Sequence, residues 1–308
     1  VANLPETKAT SAEEARIPKI NALVKKLHDR GIYIIGRIAV FEDQKMAIAR
    51  PEFALKSKST GKLWKNSKGL HWLDTAATEV WDYNIAIAKD VVNRGLDEIN
   101  FDYIRFPSDG NLDDITYPIW KSKTPKTTVV KNFYAHVRNA LPNARLSADV
   151  FGMTTTNSDD LGIGQRLEDA LPYFDAVAPM VYPSHYVSGF IGQKNPATAP
   201  YEIVKYSIEK ALEKIANYRN AWLLAARSGD AARLAKMPAI RAKLRPWLQD
   251  FNLGATYRAK EVLAQIKATT DALRGCGDAC DEKIYDDLLG STVEGWMLWN
   301  AGNIYTND

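Results

Sequence analysis

Apolar and polar positions along this chain switch repeatedly between a helical and a strand-like period. Ile17, Ile20, Leu23, Val24 and Leu27 form one helical stripe, Ser11 and Glu14 match a capping box before it, and Gly31 stops it, which predicts a helix over 11–30. The strand-like run "IYIIGRIAVF" follows at once. A helix over 79–94, with Trp81, Ile85, Ala88 and Val92 on one face, stops at Gly95 before "EINFDYIRFP". A helix over 127–140, ended by Pro142, precedes "RLSADVFG", and a short one near 165–171 precedes "FDAVAPMVY". Helical patterns at 201–217 and 231–243 precede "LRPWLQDF", and a long one at 257–273 leads to "GWMLWNA". Six strands separated by helices are the signature of parallel βαβ units.

An open doubly wound sheet and a barrel both satisfy that alternation. No strand is followed by a glycine-rich phosphate turn: "GIGQRL" lacks the third glycine of a dinucleotide fingerprint, and "STGKL" lacks the first glycine of a P-loop. Polar residues also sit on the strands themselves, towards the C-terminal ends where a barrel carries its active site. Taking alternate residues, one face carries Arg37 and Phe41; Asn100 and Asp102; Ser147, Asp149 and Phe151; Met180 and Tyr182; Arg245, Trp247 and Gln249; Leu298 and Asn300. The other face, with Ile34, Ile38 and Val40 or Leu146, Ala148 and Val150, suits helix packing. In "LRPWLQDF" the register leaves either Gln249 or Asp250 to face inward. The expectation is one α/β domain over 1–308, a TIM-type (β/α) barrel.

Composition narrows the partner. With 308 residues, 46% hydrophobic and 25% charged, the chain can bury a sizeable core. A net charge of only +3 argues against nucleic acid or an anionic membrane and for an uncharged or small ligand. No apolar run reaches the length of about eighteen residues needed to span a bilayer, and the first ten residues lack the features of a signal peptide. A start at Val1 reads as a processed product or a fragment. Cys276 and Cys280, in "GCGDAC", are expected within bridging distance, since Gly275 and Gly277 allow a sharp turn; bridged and free thiols both fit the spacing. No metal set is formed, no HExxH or GxSxG motif is present, and no cofactor is implied.

Asp102 and Asp149 carry the candidate chemistry. A carboxylate on a buried strand costs several kcal/mol unless paired or hydrogen-bonded, so each needs a reason to be there. Neighbouring barrel strands lie about 4.8 Å apart, which brings carboxylates at similar heights near the separation of about 5–5.5 Å used by retaining glycosidases. The competing reading is neutralisation by a buried arginine, with Arg37, Arg105 and Arg245 available. The loop over 42–75 is too long for a tight turn and carries Trp64, His71, Trp72 and Asp74; both tryptophans are candidate sugar-stacking platforms or packed lid anchors. "PSHY" supplies His185 and Tyr186 after Tyr182, and His185 is a candidate partner for a sugar hydroxyl.

"GIYIIGRIAVFED", "ARPEFAL", "GLHWLDTA", "VWDYNIAIAK", "DEINFDYIRFPSDG", "RLSADVFG", "RPWLQDF" and "GWMLWNA" resemble a bacterial family of glycosyl hydrolases of unknown substrate, related to the α-amylase-like barrels. The resemblance implies that Asp102 stands at the usual nucleophile position on the fourth barrel strand. It puts Asp149 where a glutamate acid is usual on the fifth, and Asp250 close to the third carboxylate. It also implies two further strands ahead of this segment, so that strands three to eight are present here. The combined expectation is a glycoside hydrolase acting on a polysaccharide of the cell envelope or surroundings, outside the cytoplasm. Asp102 is its nucleophile or transition-state carboxylate and Asp149 its acid/base. Substrate-binding residues are Arg37, Trp64, Trp72, Asp74, Arg105, Tyr182, His185, Gln249, Asp250 and Asn300. The alternative is a noncatalytic glycan-binding barrel.

Overall fold

The computed structural model describes residues 17–274 and 293–306. The expected cap residues Ser11 and Glu14 and the cysteines Cys276 and Cys280 lie outside them. The chain divides into two compact units, Val1–Asp149 with Gly162–Gln165, and Val150–Leu161 with Arg166–Asp308.

The first unit holds helix α1 (Ile20–His28), strand β1 (Ile35–Ala39), α2 (Gln44–Ala49), the short β2 (Lys56–Ser57), α3 (Thr78–Asn93), β3 (Glu98–Asp102), the short β4 (Ile115–Thr116), α4 (Lys126–Ala140) and most of β5 (Leu146–Phe151). β1 runs parallel to β3 with Arg37 opposite Asn100 and Ala39 opposite Asp102, and β3 runs parallel to β5 with Asn100 opposite Ser147. Helices can cover only an apolar face, so Ile99 and Phe101 turn towards α3 and α4. There Phe101, Trp81 and Phe41 each meet the Phe133 ring edge-on at 5.3–6.2 Å between centroids. α3 stops where Gly95 takes a φ of 93°. The loop after β1 is a small meander: β2 pairs antiparallel with β4, and bridges join Ala54 to Leu73 and Lys65 to His71.

The second unit holds α5 (Leu167–Ala170), β6 (Ala176–Met180), α6 (Pro200–Ser228), α7 (Ala231–Lys236), β7 (Lys243–Leu244), β8 (Trp247–Gln249), α8 (Ala259–Arg274) and β9 (Met297–Trp299). β6 pairs in parallel with β7 and β8, and β8 with β9. Three elements depart from expectation. α7, expected over 231–243, ends at Lys236 ahead of Pro238, and Lys243 already belongs to β7. α6 continues to Ser228 instead of ending at 217, because nothing in 218–228 breaks a helix until Gly229 adopts a left-handed turn. The "LRPWLQDF" strand is cut in two by Pro246, which has no N–H for the ladder.

Parallel strands alternating with helices make this an α/β protein with the pattern of a partial TIM-type barrel. Among the described residues β1 pairs only with β3 and β9 only with β8. Each outer edge is correspondingly open, with Ile32 and Tyr33 exposed beside β1 and Trp296 beside β9.

Gly152, just after β5, allows a close backbone approach in the second unit. A Cβ there would stand 2.3 Å from the Met180 carbonyl oxygen and 2.9 Å from the Tyr186 hydroxyl. Gly152→Ala is therefore expected to cost about 3 kcal/mol in a denaturant titration. An unchanged midpoint would mean that this turn moves aside freely.

Candidate active site

β3 ends in Asp102 and β5 carries Asp149 two residues before its end; the inward faces of the two strands read Glu98, Asn100, Asp102 and Ser147, Asp149, with every one of these side chains buried. They satisfy one another as a polar ladder. Ser147 Oγ donates to Glu98 Oε1 at 2.5 Å, and Arg145 Nε and the Tyr33 hydroxyl reach Glu98 Oε2 at 3.2 and 3.1 Å. Asn100 Nδ2 donates to Ser147 Oγ at 3.1 Å and to Asp149 Oδ1 at 2.9 Å.

At the C-terminal end of the ladder, Arg37 of β1 closes the site. Its Nη2 is hydrogen-bonded to Asp102 Oδ2, and its Nε lies 3.7 Å from Asp149 Oδ2. The two carboxylates share this guanidinium unequally: Asp102 is hydrogen-bonded to it, while Asp149 lies 3.7 Å from its Nε and accepts from Asn100. Attraction to both carboxylates outweighs burial and raises the pKa of Arg37, so the cation is permanent. Arg37 remains 36% exposed, and the site opens to solvent on its side. Replacing this cation with a neutral group leaves two buried carboxylates facing each other. Arg37→Gln is thus expected to move the acid limb of the pH–rate profile to higher pH, and an unmoved limb would show that Arg37 does not serve these carboxylates.

Asp102 also accepts from the Tyr103 backbone N–H at 2.6 Å, and Tyr103 itself sits at a φ of 53°. That left-handed backbone costs a bulky residue about 1–3 kcal/mol and turns the chain sharply at the end of the strand. The Tyr103 phenol is pushed up to about 12, by burial first and then by Glu42 and Asp102.

Sequence reasoning missed Glu42. It lies three residues beyond β1 at the same strand end, half-buried, accepts from Asn66 Nδ2 at 2.9 Å and is hydrogen-bonded to the Tyr103 side chain. Burial pushes its carboxyl above the usual range, against the pull of Arg105 and Lys68. The signal for it was a carboxylate directly after a strand in "AVFED". Glu98 was missed as well, because an acid at the start of a strand reads as a boundary residue.

Other predicted residues have different surroundings from those expected. Trp64 and Trp72 are buried, at 3% and 0% exposure, and a ring without free surface cannot stack on a sugar. Trp72 instead lies under the Arg105 guanidinium, 4.8 Å from its ring centre, and the Trp64 indole N–H is spent on the Asn111 carbonyl at 3.0 Å. Arg105 is buried, donates to the Phe106 carbonyl, and its pKa is lowered by burial. Asp74 is fully buried and accepts from the backbone N–H groups of Ala76, Ile119 and Trp120, so it clamps two loops together.

In the second unit, Tyr182, His185 and Phe251 form an edge-to-face trio with centroids 5.3–6.0 Å apart, and His185 is exposed. Gln249 is fully buried, accepting from Ser184 N and donating to the Phe251 carbonyl. Asp250 accepts from the backbone and hydroxyl of Thr306, while Asn300 Nδ2 donates to the Asp250 carbonyl. No group of three or more potential metal ligands occurs among the described residues.

Residues 2–276 match the model of a family described as "Putative glycosyl hydrolase domain". No curated protein matches the chain significantly. Among solved structures, a hypothetical protein from Ruminiclostridium thermocellum ATCC 27405 is 32% identical over 53% of this chain and 76% of its own, with a TM-score of 0.44. The PgaB (BpsB) glycoside hydrolase domain from Bordetella bronchiseptica is 13% identical over 90% of this chain and 73% of its own, with a TM-score of 0.50, a likeness of fold. The alpha-galactosidase TtGalA from Thermus thermophilus is 16% identical over 65% of this chain, which spans 38% of that enzyme, with a TM-score of 0.43.

Proposed function

The chain belongs to this family of glycosyl hydrolase domains, and we propose that it hydrolyses a glycosidic bond of a polysaccharide with Asp102 and Asp149 as its carboxylate pair. The observation that carries this reading is the Arg37 guanidinium set unequally between two carboxylates near the C-terminal ends of adjacent parallel strands. Asp102, hydrogen-bonded to Arg37, meets the positive charge that develops at the anomeric carbon. Asp149, less directly supported by a cation, gives its proton to the glycosidic oxygen as that bond breaks. It then takes a proton from the water that completes hydrolysis. The polar ladder from Glu98 through Ser147 and Asn100 holds Asp149 in orientation.

The substrate in this reading is a cell-envelope or extracellular glycan, which places the protein outside the cytoplasm. No described helix is long and apolar enough to cross a membrane.

The acid role has its own test. Asp149→Asn should depress hydrolysis of an ordinary glycan by about 10²-fold or more, yet spare an aryl glycoside whose leaving group needs little protonation. Equal losses on both substrates would remove Asp149 from the acid role. Glu42 supports a second reading, because a carboxyl raised by burial is suited to proton donation. A selective loss in Glu42→Gln, with Asp149→Asn unselective, would move the proton there.

A further inference from the structure

One segment of the meander between β1 and α3 is strongly basic and lies apart from Asp102 and Asp149 in sequence. Residues 56–68, "KSKSTGKLWKNSK", carry lysines at 56, 58, 62, 65 and 68 and no acidic residue, and every one of these lysines is exposed. A cavity of about 460 Å³ opens beside them, lined among others by Lys62, Trp64, Lys65, His71, Asn111 and Asp114. That volume falls in the range of small-ligand sites.

The charges in this cavity do not balance internally. Lys58 spends its ammonium on the Asp113 carbonyl at 2.6 Å, but no described residue partners the ammonium of Lys62 or Lys65. Asp114, the one acid in the lining, accepts from Ser57 Oγ at 2.6 Å and Ser59 N at 2.8 Å. These bonds hold its carboxyl below the usual range, and its one negative charge leaves the pair of ammonium groups in excess. The walls are fixed. The Trp64 indole is pinned to the Asn111 carbonyl, and His71 Nδ1 donates to the Trp64 carbonyl at 2.9 Å, which leaves Nε2 as the ring's other polar atom. Two unpaired cations in one cavity repel each other, and an anionic ligand relieves that repulsion. A net charge of only +3 argues against a polynucleotide.

We propose that this cavity is a subsite for an acidic glycan, taking the carboxylate of a uronosyl residue between Lys62 and Lys65. The inference deepens the glycosidase reading and rests on it for the ligand being a carbohydrate. The cavity is built from the loops that follow β1 and β3, the strands that carry Arg37 and Asp102.

Calorimetric titration of the full-length protein with tetragalacturonate and with its methyl ester separates charge from shape, because esterification removes the carboxylate charges and keeps the sugars. The acid should bind about tenfold more tightly than the ester or better, with an advantage that shrinks as salt rises. The double variant Lys62→Gln/Lys65→Gln should lose that advantage at an unchanged Tm. Equal affinity for acid and ester, no binding of the acid, or a double variant that keeps the preference would each overturn the subsite. The same titration on Asp102→Asn keeps this outcome separate from the catalytic one. A carboxylate preference that survives the loss of turnover upholds the subsite, whereas hydrolysis of neutral glycans without any such preference overturns the subsite alone.

Discussion

Asp102→Asn is expected to lower turnover by about 10³-fold or more while leaving the fold intact. The amide keeps the volume of the side chain, and its one oxygen can still accept from either the Tyr103 N–H or Arg37, which Asp102 serves with separate oxygens. Arg37 retains Asp149 and partial exposure, so no buried cation is stranded. What disappears is the negative charge at the strand end, which is the part of Asp102 that a developing oxocarbenium ion needs. Turnover on a cleavable glycan and thermal unfolding, measured side by side, decide the matter. A variant that unfolds would make Asp102 a structural partner of Arg37, and one that turns over normally would take it out of the chemistry.

The second large effect is on stability. Asp74→Ala removes the acceptor of three backbone N–H groups, those of Ala76 at 3.0 Å, Ile119 at 2.7 Å and Trp120 at 2.9 Å, at a position with no solvent exposure. Water cannot replace it without opening the loop, so a loss of about 3 kcal/mol or more is expected, a Tm lower by roughly 6–12 °C. Burial already pushes the Asp74 carboxyl above its usual range, and its bonds to Ala76, Trp120 and Ile119 oppose that shift. Asp74→Asn keeps one acceptor and should fall between wild type and Asp74→Ala. A Tm within 2 °C of wild type in Asp74→Ala, roughly 1 kcal/mol at most, would mean that the 117–121 loop is held by the Phe106, Tyr117 and Trp120 rings instead.

Strands and helices were legible where period and punctuation agreed. Gly95 and Pro142 end α3 and α4 close to where the sequence stops them, and the alternation in "EINFDYIRFP" put Asn100 and Asp102 on one face. The ladder through Asn100, Ser147 and Asp149 follows directly from that alternation and the parallel register. Legibility failed where tertiary contacts decide. Nothing local distinguishes a loop tryptophan on the surface from one under a guanidinium, so stacking platform and packed anchor were equally open for Trp64 and Trp72 until burial decided for packing. Asp74 was likewise read as a binding residue, because its three donors come from its own loop and from residues more than forty positions away. Glu42 was hidden in a segment taken as loop, although its raised carboxyl depends on burial that only the folded chain supplies. Pro246 was visible all along, and its effect on the strand at 244–251 is elementary backbone chemistry.

The central claim, that the Arg37-bridged pair of Asp102 and Asp149 hydrolyses glycosidic bonds, is tested most directly by incubating the full-length protein with a panel of envelope and extracellular polysaccharides in ¹⁸O-labelled water. Mass spectrometry then reads the label on newly released reducing ends. Wild type should release labelled oligosaccharides from at least one glycan, and an equally folded Asp102→Asn none above background. Binding of a glycan with no labelled end from any member of the panel, or equal labelling by Asp102→Asn, would contradict it.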